Sequence, residues 1–470
     1  MKIKHEIEIN ANNPFVNCKL EREKYARVLT EIVSSYSDGF VLAINNEWGT
    51  GKTTFVKMWQ NLLIKEEYST IYFNAWENDF NSNPLVALMS ELKPLIKGKV
   101  DSEKIFKSVI EKGAILAKNV APALAKALVK KYIVDTDVIL ESVENGTKAA
   151  TEVFEEEMKE FSEKKKTIIE FRKELQKFIK KSESDKPLIF IIDELDRCRP
   201  DYAVEVLEQL KHFFSVNGVV FILSIDKNHL ASSVRGFYGS EHINTDEYLR
   251  RFIDLEYSIP KPSNELFCNY LFDYYELHEF FNSTQRRNYD EFYNDKSNFL
   301  QIAELLFDKT NATLRQQEKI FGQTRLILKS FKINENIFSP LLFILTYIKV
   351  LHNELYKKIE SYRMTHQELC DSIINLFPLR QNPIYGMNLI YIVAIILPLY
   401  DNSLDPGKRI KLIVKEKDDL ISSPIVLANE DDNKDFVRQL DMFIYKRITS
   451  GKNLSYLLNK INLTESFILN

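Results

Sequence analysis

Three runs of consecutive apolar residues punctuate the first half of the chain: Phe40 to Ile44, Leu188 to Ile192 and Val219 to Leu223. They are too short for globular helices and rich in β-branched residues, so they read as strands buried on both faces, as the central strands of a parallel sheet must be. Thr70-Ile71-Tyr72-Phe73 reads as a further short strand, and Tyr248 to Leu255 leads into another that closes at Ile259-Pro260. Between them the period changes. Leu20, Tyr25, Val28, Leu29, Ile32 and Val33 share one face of a helix that leads into the first strand, and Phe55 to Ile64 continues as a helix. Strands separated by helices predict an α/β fold with a doubly wound parallel sheet.

Residues 95–186 interrupt that alternation. They read as helices throughout, with an Ala/Lys-rich piece from Ile105 to Tyr132 and a strongly charged one from Glu152 to Lys181. Lysines 112, 118, 126, 130 and 131 break every apolar run there, short of the ~20 residues a membrane span needs. The expectation is an inserted helical arm within a core formed by 1–94 and 187–262. Two readings of the arm stand side by side: a solvated helical hairpin, and an amphipathic surface for a partner helix or a membrane. Ala114 to Val129 is apolar enough on one face to favour a partner or self-packing, while Glu155 to Lys166 is simplest as a solvated face. Beyond Pro262 the pattern is helical, giving a lid and C-terminal domain over 263–470. Ile384 to Tyr400 approaches the length of a span but contains Asn388 and Pro398, which favours a buried helix.

Composition narrows the classes. A chain of 470 residues suggests two to three domains, and a formal charge of −4 with pI near 6.1 does not indicate a nucleic-acid partner. Cys18, Cys198, Cys268 and Cys370 are far apart and show no ligand spacing with the seven histidines. That pattern suggests a reducing cytoplasm and argues against structural zinc. Met1 to Glu8 lacks the apolar core of a signal peptide, so secretion is not expected. No nuclease or protease constellation is visible.

The chemistry concentrates where the first apolar run ends. Asn46-Glu47-Trp48-Gly49-Thr50-Gly51-Lys52-Thr53-Thr54 has the layout of a phosphate-binding loop. Backbone N–H groups and a helix N-terminus would face the phosphates, Lys52 would reach the β and γ oxygens, and the Thr53 hydroxyl would touch Mg²⁺. The general pattern asks for glycine at position 46. Asparagine is a frequent substitute where positive φ is required, so Asn46 is expected to preserve the geometry.

The second run ends in Asp193-Glu194. Adjacent carboxylates repel and need a cation or strong hydrogen bonds to stay ionised together. Asp193 is placed to hold Mg²⁺ through water and Glu194 to polarise the attacking water, the division of labour that metal-assisted phosphoryl transfer needs. Asn74, where the Thr70 strand ends, could approach that water or simply close the strand with hydrogen bonds, and Trp76 reads as a packing anchor.

Together Trp48 to Thr53, Phe73-Asn74-Ala75-Trp76 and Asp193-Glu194-Leu195-Asp196-Arg197-Cys198-Arg199-Pro200 resemble the KAP family of P-loop NTPases. The resemblance spans roughly residues 10 to 360 and includes the insertion, which in that family often carries membrane spans absent here. Asn46 departs from the family's glycine and Glu194 from its second aspartate. Glutamate at that place resembles active ATPases of the additional-strand catalytic-glutamate class. The resemblance implies further candidates, each beside a plainer role. Ser224 and Asp226 would sense the γ-phosphate or cap the following helix. Arg250 or Arg251 would complete a neighbouring subunit's site or form a surface salt bridge. Arg197 would form a local ion pair with the adjacent Asp196 that holds the turn, or reach a neighbour's nucleotide. Arg315, in Thr313 to Lys319, would contact nucleotide from the lid or pair with Glu318.

The function expected is Mg²⁺-dependent ATP binding and hydrolysis that drives or gates assembly, as a homo-oligomer or with a partner effector protein. The family includes bacterial proteins linked to phage exclusion, which implies a defence role. The alternatives are a nucleotide-gated scaffold with negligible turnover and a peripheral membrane ATPase that uses the arm.

Overall fold

Strands β1 (Asp38–Asn45), β2 (Thr70–Asn74), β3 (Leu188–Asp193), β4 (Val219–Ile225) and β5 (Leu255–Tyr257) form one parallel sheet in the order β2-β3-β4-β1-β5. A computed structural model describes residues 8–36, 38–80, 83–96, 100–119, 148–181, 186–310, 312–377, 383–415, 421–445, 449 and 451–463. The chain divides into two units, Met1–Lys261, which holds the sheet, and Pro262–Asn470.

The sheet sorts its side chains by the two-residue period of a strand. Leu188, Phe190 and Ile192 of β3, with Val219, Phe221 and Leu223 of β4, enter one core. Ile189, Ile191, Val220 and Ile222 enter the other, with Leu42 and Ile44 of β1. Both faces are covered, which is why these strands carry unbroken apolar runs rather than alternation. The second core is closed by helix α1 (Glu23–Ser35) through Ala26, Leu29 and Val33, and by α2 (Lys52–Lys65) through Phe55, Val56, Trp59 and Leu63.

The first core takes in helices from the interrupting segment. Helices α4 (Val100–Asn119) and α5 (Lys148–Lys180) follow α3 (Pro84–Ser90). Val109, Leu116, Phe171, Leu175 and Phe178 are buried in that core, and Lys112 pairs with Glu170 at 2.6 Å. Residues 120–147 lie outside the described residues, and with them much of the Ile105 to Tyr132 and Ala114 to Val129 readings. The described side chains from Lys159 to Lys166 are exposed, with Phe161 71% accessible. Helices α6 (Pro200–Gln209), α7 (Lys227–Tyr238) and α8 (Thr245–Leu249) complete the unit.

Register decides what meets at the sheet's carboxyl edge. Asn74 of β2 lies opposite Asp193 of β3, and Asp193 lies opposite Ser224 of β4. Three polar residues at three strand ends thus form one row, where open α/β sheets bind ligands.

The second unit is helical apart from a two-stranded antiparallel pairing of Val414–Lys415 with Ile421–Ser422. Ser339–Leu351 is buried on every side from Ser339 to Ile348, and Pro383–Ser403 carries Pro398 internally. Among the described residues no helix is long and apolar enough to cross a membrane.

Candidate nucleotide site

The loop between β1 and α2 is shaped by two glycines and one asparagine, with different roles from those its sequence predicts. Gly49 and Gly51 have φ of 80° and 79°. Asn46 is absent from the positive-φ residues, so the expectation that it replaces glycine for left-handed backbone is wrong. Its side chain explains its presence: Nδ2 donates to Ile259 O at 2.9 Å and Oδ1 accepts from Ile259 N at 2.9 Å. Asn46 clips the chain just after β5 to the start of the loop, a reciprocal amide pairing that glycine could not make.

Helix α2 starts at Lys52 with no side-chain cap, within the Gly51-Lys52-Thr53 turn where the sequence allows a helix to begin. Its first-turn N–H groups therefore face outward as donors with no partner from a capping side chain, which suits an anion. Lys52 is buried, and its ammonium donates to Asn46 O and, at 3.2 Å, to Glu47 O. Burial lowers its pKa, while Asp196, Asp226 and Asp193 act in the opposite sense. Thr50 is buried with its hydroxyl on Glu47 O at 2.8 Å.

Arg22, which the sequence reading passed over as part of a packing helix, holds this loop from behind. It is buried at the start of α1, and Nη2 donates to Thr50 O at 2.8 Å while Nη1 reaches Gly51 O at 3.4 Å. A Cβ at Gly51 would stand 2.9 Å from Nη1, a second reason for glycine there. Nothing in the sequence singles Arg22 out, since it stands among Glu21, Glu23, Lys24 and Arg27.

On the opposite wall, Asp193 Oδ1 accepts from the Glu194 N–H at 3.0 Å and Oδ2 from the Tyr72 hydroxyl at 2.9 Å. Burial first, and then Asp193, push the Tyr72 hydroxyl pKa far up, so it remains a donor. Glu194 has φ 60°, a left-handed conformation that costs a glutamate on the order of 1–3 kcal/mol. This backbone turns its carboxylate toward Arg197 (2.8 Å) and Asn74 Nδ2 (3.4 Å). Burial raises the Glu194 pKa and Asp193 adds to the rise, whereas Arg197 opposes it. Asn74 also does the plainer work of a strand end, with Oδ1 accepting from the N–H groups of Trp76 and Glu77.

The two walls are joined by Trp48. Its indole N–H donates to Asp196, and its ring stacks on His229 of α7 with centroids 3.7 Å apart. Between the walls is a cleft of ≈ 160 Å³ lined by Glu47, Trp48, Gly49, Gly51, Lys52 and Thr53, and by Asp193, Glu194, Asp196, Arg197 and Ser224. Asn46, Thr50 and Thr54 shape or follow the loop without being among the lining residues. Ser224 is fully buried, and its hydroxyl has no hydrogen-bond partner among the described residues. An orphaned donor at a strand end beside Lys52 fits a phosphate or its water. Asp226 caps α7 by accepting from the N–H groups of Asn228 and His229.

The hard oxygens of Thr53 and Asp193 suit Mg²⁺, which usually keeps several waters and substrate phosphates as its other ligands. No cluster of three His, Cys, Asp or Glu suited to a metal occurs among the described residues.

Two other candidates on the first unit do not line the cleft. Arg250 is exposed and pairs with Glu247 at 3.7 Å, and Arg251 is exposed. Arg315 belongs to the second unit, exposed in the first turn of Leu314–Leu328, where its charge opposes the burial that raises the Glu318 pKa.

No curated protein matches the chain. Among solved structures, a chain from a structure of Drosophila ORC bound to DNA is similar at 11% identity over 97% of this chain and 87% of that one, with a TM-score of 0.27. That score is too low to carry an argument. The model of the KAP family P-loop domain matches residues 22–331, from Arg22 behind the phosphate loop through both acidic and basic walls of the cleft. With the parallel sheet and the Lys52 loop in place, the chain belongs to the KAP family of P-loop NTPases.

Proposed function

We propose that the chain binds ATP with Mg²⁺ and hydrolyses it, in the manner of the additional-strand catalytic-glutamate class, and that nucleotide state gates assembly with a partner protein or further copies. The observation that carries this reading is the pairing across one cleft of Lys52, bonded among the described residues only to loop carbonyls, with Asp193 and Glu194. Lys52 exchanges those carbonyls for β and γ oxygens of the nucleotide, and the first turn of α2 supplies N–H donors beside it. Thr53 and Asp193 would hold Mg²⁺, which when bound neutralises charge on the β and γ oxygens. Glu194 orients a water in line with the γ-phosphorus and accepts its proton. The new P–O bond forms as the bond to the β–γ bridging oxygen breaks, and the electron pair leaves with ADP. Ser224 donates to the γ-phosphate or the water. Family resemblance alone extends this to anti-phage defence, to Arg251 acting on a neighbouring site and to Arg315 acting from a lid.

The tie between Glu194 and Arg197 favours a second reading, a nucleotide-gated switch that turns over slowly. Single-turnover assays separate the two. Lys52→Ala should remove nucleotide binding, and Glu194→Gln should bind ATP and retain it unhydrolysed. Undiminished turnover in Glu194→Gln would sink the catalytic assignment, and failure of the unaltered protein to bind either ATP or ADP would sink the whole reading.

A further inference from the structure

The arginine in the cleft is held by groups that cannot keep it during catalysis. Arg197 ends the short turn Leu195–Arg197 after β3 and lines the same cleft as Lys52 and Thr53. It pairs with Glu194 at 2.8 Å, the residue that must be free to orient water. Its guanidinium carbon sits 5.8 Å from the Trp48 ring centroid and 5.6 Å from that of Trp76. Those rings come from separate segments, Trp48 in the phosphate loop and Trp76 just after β2, and Trp48 is itself fixed by Asp196 and His229. Half of the Trp76 surface is accessible, and so is a third of the Arg197 side chain. The ring contacts are therefore partly solvated, and the ion pair is open to solvent on its arginine side while Glu194 is only 14% accessible.

We propose that Arg197 is a catalytic arginine that acts within its own chain: when ATP is bound it leaves Glu194 for the γ-phosphate, and so frees Glu194 for the attacking water. This rests on the ATPase reading above and deepens it. The guanidinium carries its charge into a cleft where Lys52 already supplies one cation, so it gains most when the γ-phosphate adds negative charge between them. Spread over three γ oxygens in the transition state, that charge is better matched by a planar fork than by the single Glu194 carboxylate. Trp48 and Trp76 guide the guanidinium by their faces without saturating its N–H donors, which leaves those donors for phosphate oxygens. The exchange also couples two events: Glu194 is released only when a triphosphate is present to take its cation.

The test uses the full chain with Mg²⁺ and compares ATPγS and ADP affinities, single-turnover ATP hydrolysis and a mixing experiment. Arg197→Ala is expected to leave ADP affinity within about twofold, weaken ATPγS binding by about tenfold and slow hydrolysis by about 10³-fold. Arg197→Lys, which keeps the charge but not the fork, should recover only part of the rate. Mixing Arg197→Ala with Glu194→Gln should give no recovery, since each site then lacks one of its own two groups. Recovery on mixing would overturn the proposal in favour of an arginine donated between chains. Unchanged or faster hydrolysis in Arg197→Ala would overturn it too, by making Arg197 only a restraint on Glu194. Equal loss of ADP and ATPγS affinity would make it a support for the loop. Absence of ADP binding by the unaltered protein would count against the ATPase reading itself, which distinguishes the two failures.

Discussion

Two buried basic side chains, Arg286 in the second unit and Lys52 in the first, are treated in opposite ways. Arg286 in the second unit has no accessible side-chain surface. It pairs with Asp295, donates from Nη1 to Ile333 O and Glu335 O at 2.9 Å each, and lies over the rings of Phe280 and Phe292 at 4.8 and 4.0 Å. Asp295 is further held by the Ser339 hydroxyl at 3.1 Å. Lys52 in the first unit has only two neutral carbonyls of its own loop, and it makes no ion pair among the described residues. A buried cation surrounded by a carboxylate, carbonyls and rings has its charge met by the protein, even though the Arg286 Nε finds no hydrogen-bond partner among the described residues. On the proposed reading, one left with exchangeable carbonyls is held for phosphate.

The largest effect that can break this contrast is at Arg286. Arg286→Met leaves Asp295 buried without its cation and should destabilise the second unit by about 3–5 kcal/mol. The double change Arg286→Met with Asp295→Leu should recover much of that loss, because no charge is then stranded. Chemical denaturation followed at that unit checks both. If Arg286→Met melts like the unaltered protein, the network is decorative and the contrast fails.

The same contrast explains which parts of the molecule could be read along the chain. β1, β3 and β4 are local facts: two buried faces demand unbroken apolar runs, and Leu188 to Ile192 could serve no other purpose. β5 is an exposed edge of three residues, so its apolar signal is weak, and the strand ends at Tyr257 rather than at the predicted Ile259. Lys52, Thr53, Asp193 and Glu194 were legible because a phosphate loop and a strand-end acid are each contiguous in sequence. What those residues touch was not. The Asn46 clasp on Ile259 spans 213 positions and replaces the positive-φ explanation, and Arg22 reaches the loop across 28. The Glu194–Arg197 pair is near in sequence, yet it depends on a left-handed glutamate that residue preferences argue against. Arg286 left no pattern at all, since its partners come from three separate segments.

A buried acid with no cation sharpens the comparison from the other sign. Glu208 of α6 is 8% exposed, and burial, reinforced by Glu205, pushes its pKa from 4.5 up to about 7, against a hydrogen bond with Tyr238. The folded value lies above the unfolded one, so the folded state holds the proton more tightly. Its stabilising contribution is fully present below pH 4.5 and is lost as pH rises through about 7. Glu208→Gln imitates the protonated form, so it should match the unaltered protein at low pH and exceed it above pH 7 by at most about 3 kcal/mol. Paired melts across that window read the difference, and parallel curves at every pH would show that Glu208 is already paid for by a partner.

The smallest expected change is the most discriminating, because it concerns Lys52 with no nucleotide present. If its ammonium is buried for a ligand rather than for the fold, Lys52→Met removes a desolvated charge and two hydrogen bonds to carbonyls that can turn to water. The net effect on stability without nucleotide should fall within about 1 kcal/mol of zero, with a slight gain the favoured sign. Adding ATP and Mg²⁺ should then raise the melting temperature of the unaltered protein and leave that of Lys52→Met where it was, since only a state that binds ligand is stabilised by it. A loss comparable to that at Arg286 would place Lys52 among the structural cations and remove the ground for calling its carbonyl contacts provisional. Near-neutral stability with the ligand response gone would show the opposite: two buried cations, one committed to the fold and one kept for phosphate.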